Sequence, residues 1–307
     1  MSAQKKDRLM LQVMTANIGG HRNLRTTRLD PTQAAQNIRQ NFDIDTTQPT
    51  LIALQEAVQI RFEDGRLHDI SALLADELGA NYRAYYAPKT SNITHPNVCV
   101  WDIASYEGAT EVSEGNAIVT NLPLGQWAWG ASVPLSVSIG QPRFYSTGNR
   151  DSEPRNVIAI PAQTPYGTVY FMATHLTTLR GEDRHDTSHP ITQEAQRMRM
   201  LEIDHILRLM REIRQSEQTA NIAPRPFILA GDFNSNEKRL EFLMLQDEFK
   251  HYQPAQPHYT HINHQIDIDH ILISDPQAIM PPPQSVAVQT EPALPDVSDH
   301  LLKIAIF

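Results

Sequence analysis

The sequence predicts a layered α/β sandwich, two sheets packed face to face with helices over their outer sides. Three observations lead there. Short apolar, strand-like segments recur along the whole chain, helical segments with apolar residues three and four apart fall between some of them, and the middle is too rich in strands for strict βαβ alternation. Packing two sheets on each other buries such strands and leaves the polar residues at their ends together.

Residues 9–17 alternate partially with period two and read as a strand running into the turn Gly19-Gly20. Asp30-Pro31 has the form of an N-cap followed by proline at the first helical position, and Ala34, Ala35 and Ile38 continue a modest amphipathic helix. Residues 51–55 form a second strand that ends at Glu56. Over 67–78, Ile70, Leu73, Leu74 and Leu78 share one helical face, with Gly79 as the stop. Strands are expected at 98–104, 116–120, 156–160 and 168–174, between turns rich in Gly, Pro and Asn. The clearest helix is 193–214, where Met200, Ile203, Leu207, Met210 and Ile213 keep helical spacing. After the Pro224-Arg225-Pro226 breaker, the apolar run 227–230 delivers Gly231-Asp232-Phe233-Asn234 at its exit. A short helix at 239–245, a His-rich polar stretch, a strand at 268–273, a proline-rich loop from Pro281 and a closing strand at 301–307 complete the chain.

A chain of 307 residues can bury about three quarters of its unfolded surface. No linker divides it, so one domain over 9–307 is expected behind a flexible segment 1–8. The single Cys99 excludes an internal disulfide and a thiolate zinc cluster. With 40% hydrophobic and 20% charged residues, disordered, coiled-coil and collagen-like classes have no support. The apolar run near the start is broken by Gln12, Thr15 and Asn17, and no stretch reaches the length of a membrane span. A cytoplasmic protein is expected. The net charge of -9 argues against indiscriminate attachment to nucleic acid, yet leaves phosphate chemistry open, because a metal ion reverses the field of an acidic pocket.

Polar residues stand just past apolar strands at Asn17, Glu56, His175, Asp232 with Asn234, Asp269, and Asp299-His300. Strand ends are rigid mounts, and these six read as one pocket. Carboxylate and carboxamide oxygens suit Mg²⁺ or Mn²⁺, which complete their shells with water and substrate phosphate, and Glu56 is the first choice of ligand. A phosphate ester resists attack because its oxygens repel the nucleophile, so a divalent ion and donor side chains must neutralise growing charge. The series His258, His261 and His264 lacks zinc-motif spacing and reads as a substrate-lining or exposed loop. Each site residue also has an ordinary reading by itself: Asn17 as a turn former, Asp232 as a cap, His175 and His300 as hydrogen-bonded structural histidines, Arg155 in a salt bridge.

The sequence resembles the endonuclease/exonuclease/phosphatase superfamily at Thr15-Ala16-Asn17, Leu54-Gln55-Glu56, Gly115-Asn116-Ala117-Ile118-Val119-Thr120, Pro154-Arg155-Asn156, Thr174-His175-Leu176, Gly231-Asp232-Phe233-Asn234, Ile268-Asp269-His270-Ile271 and Ser298-Asp299-His300, in family order. The resemblance implies a four-layer α/β/β/α sandwich of two mixed, largely antiparallel sheets, and a Mg²⁺-dependent phosphoester hydrolase in which Mn²⁺ can substitute. It implies that Glu56 binds the metal with Asn17 and Asp299, that Asp232 orients or deprotonates the attacking water, and that Asn234 holds a phosphate oxygen. His300, oriented by Asp269, and His175 would face the phosphate, with Arg155 bracing the pocket. Replacing Asp269 with Asn is expected to move the acidic limb of the pH profile.

Arg180 and Arg184, between His175 and the long helix, suit either a second phosphate or a solvated loop, and Arg22, Arg25 and Arg28 carry the same two readings. The short stretch from Asp232 to Asp269 departs from the aromatic-rich approach of many relatives, and no sphingomyelinase or 5-phosphatase signature is present. A small or lipid-derived phosphoester is preferred because no basic stretch or aromatic series marks a nucleic-acid track. A DNA or RNA nuclease is the alternative, a non-catalytic binding domain ranks lower, and no protein partner is expected.

Overall fold

The central strands are apolar on both faces, and the architecture follows from burying both. The computed structural model describes residues 9–20, 31–42, 44–93, 108–140, 153–179, 181–183, 185–254, 258–292 and 298–307. In it, β1 (Gln12–Asn17) turns Val13 toward the middle of the molecule and Met14 and Ala16 toward an outer layer. The expected segment 1–8, the strand at 98–104, the Asp30 cap and the arginines at 22, 25, 28, 180 and 184 lie outside the described residues.

Among the described residues, one sheet contains β1, β2 (Thr50–Phe62), β3 (Leu67–Asp69), β4 (Arg83–Ser91), β5 (Ala109–Thr120), β12 (Ser285–Pro292) and β13 (Leu301–Ile306). The other contains β6 (Leu135–Gly140), β7 (Arg155–Thr164), β8 (Gly167–His175), β9 (Phe227–Asp232), β10 (Lys250–His251) and β11 (Asp269–Ser274). The first runs β12-β13-β1-β2-β5-β4 with β3 beside β2; the second runs β10-β11-β9-β8-β7-β6. Only β1 with β2, and β8 with β9, pair in parallel; the other described pairs are antiparallel.

Three apolar layers fill the spaces. Between the sheets, Val13, Leu51 and Ile118 meet Ile158, Phe171, Ile228 and Ile271. On one outer face, α1 (Pro31–Asn41) and α2 (Ile70–Leu78) cover the first sheet through Ala35, Ile38, Ile70 and Leu74. On the other, α3 (Pro190–Thr219) and α4 (Leu240–Gln246) cover the second through Ile203, Ile206, Met210, Phe242 and Leu245. The result is the expected four-layer α/β/β/α sandwich. No described helix is long and apolar enough to cross a membrane.

The structure departs from the sequence expectations at several elements: β4 and β6 form where the sequence predicts no strand, β5 begins at Ala109 rather than at 116, and three further departures have a local cause. Residues 67–69 pair with β2 instead of opening a helix, because the Asp69 carboxylate accepts from the amides of Ser71 and Ala72 and caps α2 there. The proline-rich stretch ends in β12, an edge strand from Ser285, with Pro281, Pro282 and Pro283 before it and Pro292 only at its last position. The third is β2, which continues past Glu56 to Phe62. Pairing jumps from Leu54 opposite Ala117 to Ala57 opposite Gly115, so Gln55 and Glu56 bulge against Asn116 alone.

Close approach of β8 and β9 carries the register on which Asp232 depends. A Cβ added at Gly231 would lie 2.0 Å from the Thr174 carbonyl oxygen, a backbone atom without room to yield. Gly231→Ala should therefore cost about 1–3 kcal/mol of stability, the usual range for overpacking. Denaturant melts of the purified variant measure it, and an unchanged midpoint would show that the parallel pair has slack.

Candidate active site

The strand registers place the expected residues at one end of the sandwich. Asp232 at the exit of β9 lies opposite His175 at the exit of β8 and opposite Asp269 at the entry of β11. Asn17 ends β1 beside Gln55, so the bulge brings Glu56 to the same edge. Asp299 and His300 lead into β13, clipped by Ser298, whose hydroxyl donates to the Asn17 carbonyl oxygen at 2.6 Å and accepts from the His300 amide at 3.1 Å.

Glu56 occupies this edge through an unusual backbone. Its φ of 56° lies in the left-handed region that a non-glycine residue enters at a cost of roughly 1–2 kcal/mol. Gly20 packs against its carbonyl group, where an added Cβ would lie 1.6 Å from the Glu56 oxygen. Bulges of this kind re-aim side chains beside functional sites.

Asn17 joins the two sheets. Its Nδ2 donates to Glu56 Oε1 at 3.2 Å and to Asp232 Oδ2 at 3.1 Å, while its Oδ1 accepts from the Gly19 amide at 3.0 Å. In this arrangement Asn17 aligns two carboxylates through its amide nitrogen. Asp232 Oδ1 accepts from the Asn234 amide at 2.8 Å, and His175 Nε2 and His300 Nε2 stand 3.4 and 3.6 Å from Oδ2. Asn234, in a left-handed conformation, spends one amide hydrogen on the Leu176 carbonyl at 2.9 Å.

His300 Nδ1 donates to the fully buried Asp269 at 2.8 Å, leaving Nε2 toward Asp232 and, at 3.8 Å, Asp299. Burial by itself would lower the basicity of His300. Asp269, Asp232 and Asp299 outweigh it and hold the pKa up at about 9. The imidazole is therefore a cation near neutrality. This corrects the expected effect of Asp269→Asn: three carboxylates move the His300 titration to the alkaline limb, away from the acidic one.

His261, read from sequence as part of a lining or exposed loop, is buried. Its ring meets the His300 ring edge-on at 4.9 Å between centroids, and its Nε2 lies 3.4 Å from Asp299 Oδ2, where Asn263 also donates at 3.2 Å. His258 turns elsewhere, to Asp267 at 2.9 Å. The local spacing carried no signal for this division, since the bridge between His261 and His300 joins residues far apart in the chain.

A second charged group flanks Glu56 and escaped the sequence reading altogether. Lys89 Nζ lies 2.8 Å from Glu114 and 2.6 Å from Glu153, with Lys89 buried. Burial pushes the Glu114 carboxyl up to about 7; Lys89 opposes that rise, and Glu56 and Glu153 add to it. Arg155 belongs to this side of the site, 4.0 Å from Glu153. Its Nε and Nη1 are buried without a hydrogen-bond partner. The available signal was Glu114 itself, directly before the Gly115-Asn116 motif.

The donor chemistry fits a hard divalent cation. Glu56, Asp232, Asp269 and Asp299 bring four carboxylates to one edge, against the His300 imidazolium among them. Oxygen donors dominate on the Glu56 side, and this excess of negative charge is what a Mg²⁺-class ion compensates.

Residues 14–300 match the sequence model of the Endonuclease/Exonuclease/phosphatase family. Among solved structures, the chain is similar to the endonuclease/exonuclease/phosphatase from Beutenbergia cavernae DSM 12333, with a TM-score of 0.59 and 19% identity over 97% of this chain and 71% of that one. It is similar also to the human Nocturnin catalytic domain with bound sulfate anion, with a TM-score of 0.56 and 16% identity over 97% and 93% of the two chains. Truncated TDP2 from Caenorhabditis elegans gives a TM-score of 0.57 and 15% identity over 97% of each. Identities this low speak for the fold. No curated protein sequence matches the chain.

In the metal-free protein, the His300 ring should titrate near pH 9, well above the ordinary histidine value of 6.5. A folded-state value above the unfolded one contributes stability that is complete below about 6.5 and is lost as pH rises through about 9. Histidine NMR titration checks this directly. Asp269→Asn should bring the midpoint down toward the ordinary value, and a wild-type midpoint already near that value would contradict the carboxylate account.

Proposed function

The chain belongs to the endonuclease/exonuclease/phosphatase family of phosphoester hydrolases, and on that premise we propose that residues 9–307 form one catalytic domain that hydrolyses a phosphoester by in-line attack of water with Mg²⁺ as cofactor. The observation that carries this reading is the Asn17 amide held between Glu56 and Asp232, which puts a metal-type carboxylate from one sheet beside a water-orienting carboxylate from the other. Glu56, with Asn17 aligning it and Asp299 nearby, would hold the ion, and Mn²⁺ would replace it.

When bound, Mg²⁺ supplies electrostatic stabilisation of the phosphoryl and departing oxygens. The remaining work falls to side chains. Asp232, fixed at Oδ1 by the Asn234 amide, orients the attacking water and accepts its proton. His300 donates its Nε2 hydrogen to a phosphoryl oxygen; Asp269 keeps the ring charged and in place. His175 Nε2 and the Asn234 side-chain amide stand on the same side of the site. Attack in line needs no covalent intermediate.

We place the substrate among small or lipid-derived phosphoesters. The acidic balance of -9 and a sequence without a basic stretch or aromatic series disfavour a long polyanion. The sulfate bound by the similar Nocturnin domain is a tetrahedral oxyanion, which supports phosphate as the recognised group.

Turnover with Mg²⁺ and with Mn²⁺ on plasmid DNA, RNA, bis-p-nitrophenyl phosphate, a phosphomonoester, sphingomyelin and inositol phosphates tests this. A small or lipid ester should be cleaved, and Glu56→Ala and His300→Ala should each lower kcat/KM by at least about 100-fold. Cleavage of plasmid DNA alone would overturn the substrate, and full activity of Glu56→Ala would overturn the centre.

A further inference from the structure

A second cluster of metal-type ligands lies behind the strand that carries Asp269, on its other face. Successive residues of a strand point to opposite sides. Asp269 faces His300, whereas His270 turns toward the helical layer and packs edge-on against Phe233 and Phe242. There it meets His251 from β10 and Asp267 and His258 from the approach to β11.

His270 is wholly buried, and its Nε2 hydrogen goes to the Ser235 carbonyl oxygen at 2.8 Å. That bond leaves Nδ1 with a lone pair, aimed at His251 Nε2 3.1 Å away. Asp267 Oδ2 stands 3.8 Å from His270 Nδ1 and 2.9 Å from His258 Nε2. Four ligands around zinc at about 2.0–2.1 Å have donor atoms about 3.3 Å apart. His251, Asp267 and His270 have donor atoms within 4.8 Å of one another, and His258, held by Asp267, moves in to complete the shell. On the far side of His251, Glu237 Oε2 lies 3.6 Å from Nδ1 and accepts from Gln253 Nε2 at 3.0 Å, so it reaches the imidazole only through its charge.

We propose that His251, His258, Asp267 and His270 form a binding site for a zinc-class transition-metal ion, separate from the oxygen-rich centre at Glu56. Imidazole nitrogens select such ions over Mg²⁺. The ion takes the position of the hydrogens that now join His251 to His270 and His258 to Asp267. By tying β10 and the 258–268 segment to β11, it braces the backbone from which Asp269 projects.

Lys303 is the competing cation. Its buried ammonium contacts Asp267 at 3.1 and 2.8 Å and donates to the Asp269 carbonyl oxygen at 3.0 Å. Zinc binding therefore requires Asp267 to serve both, its carboxylate bridging ammonium and metal. Gln253 Nε2, 3.0 Å from His251 Nε2, would turn aside.

Calorimetric titration of the metal-stripped full chain with Zn²⁺, in saturating Mg²⁺, decides the matter, with Co²⁺ absorption as the geometric readout. We expect one equivalent of Zn²⁺ that survives in Glu56→Ala, raises the melting temperature and gives the strong visible bands of four-coordinate Co²⁺. His251→Ala and His258→Ala should each weaken it by at least about 100-fold, more than the loss of an outer-shell partner. Both residues are only partly buried, and far-ultraviolet dichroism without metal verifies folding. Zinc uptake abolished by Glu56→Ala, untouched by either histidine change, or absent would overturn the site and leave Lys303 as its cation. None of these readouts depends on catalysis, so the outcome stands apart from that of the proposed hydrolase reading.

Discussion

One amide joins the two halves of the molecule at its functional end. Asn17 reaches from the first sheet to Asp232 in the second, and the same nitrogen holds Glu56. Apolar packing between sheets is non-directional and tolerates sliding, whereas a buried polar bridge is satisfied in one register only. Asn116 repeats the device lower in the interface, donating at 2.7 Å to the side chain and at 3.0 Å to the backbone of Asn156 across the gap. Ser298 adds a third tie, fastening the approach to β13 onto β1. The geometry of the carboxylates is thus a consequence of how the sheets are locked.

That geometry concentrates charge that folding alone would disperse. Burying several carboxylates together is costly, and the fold offsets part of the cost by holding His300 as a cation and by pairing Glu114 and Glu153 with Lys89. The left-handed backbone at Glu56 is a local cost of the same kind. A divalent ion held there would relieve both the repulsion and the need for another internal cation.

β11 has polar work on both faces. Asp269 faces His300 at the candidate site while His270, its neighbour, sits in the imidazole cluster beneath the helices, and Lys303 touches the backbone of one and the partner Asp267 of the other. Changes in that cluster have a short mechanical route to His300. The Thr260 hydroxyl, accepting from the amides of Ile268 and Asp269, fixes the entry of the strand from the same side.

The sequence by itself determined the layers and the mounts. A strand such as β9 is apolar at alternate and intervening positions alike, so it had to be covered on both faces, and the residues where the apolar runs stop, Asn17, His175, Asp232 and Asp269, were legible as site candidates. Tertiary structure alone decided the rest. The bulge at Glu56 exists because Asn116 opposes two residues, and the burial of His261 follows from its bridge to His300. The Lys89 group draws on strands and a loop remote in the chain, and the cluster at His270 gathers residues spread over 251–270 that no single element's periodicity aligns. Periodicity reports which face a residue takes within its own element; it holds no information about the charge or shape that a distant element will set against that face.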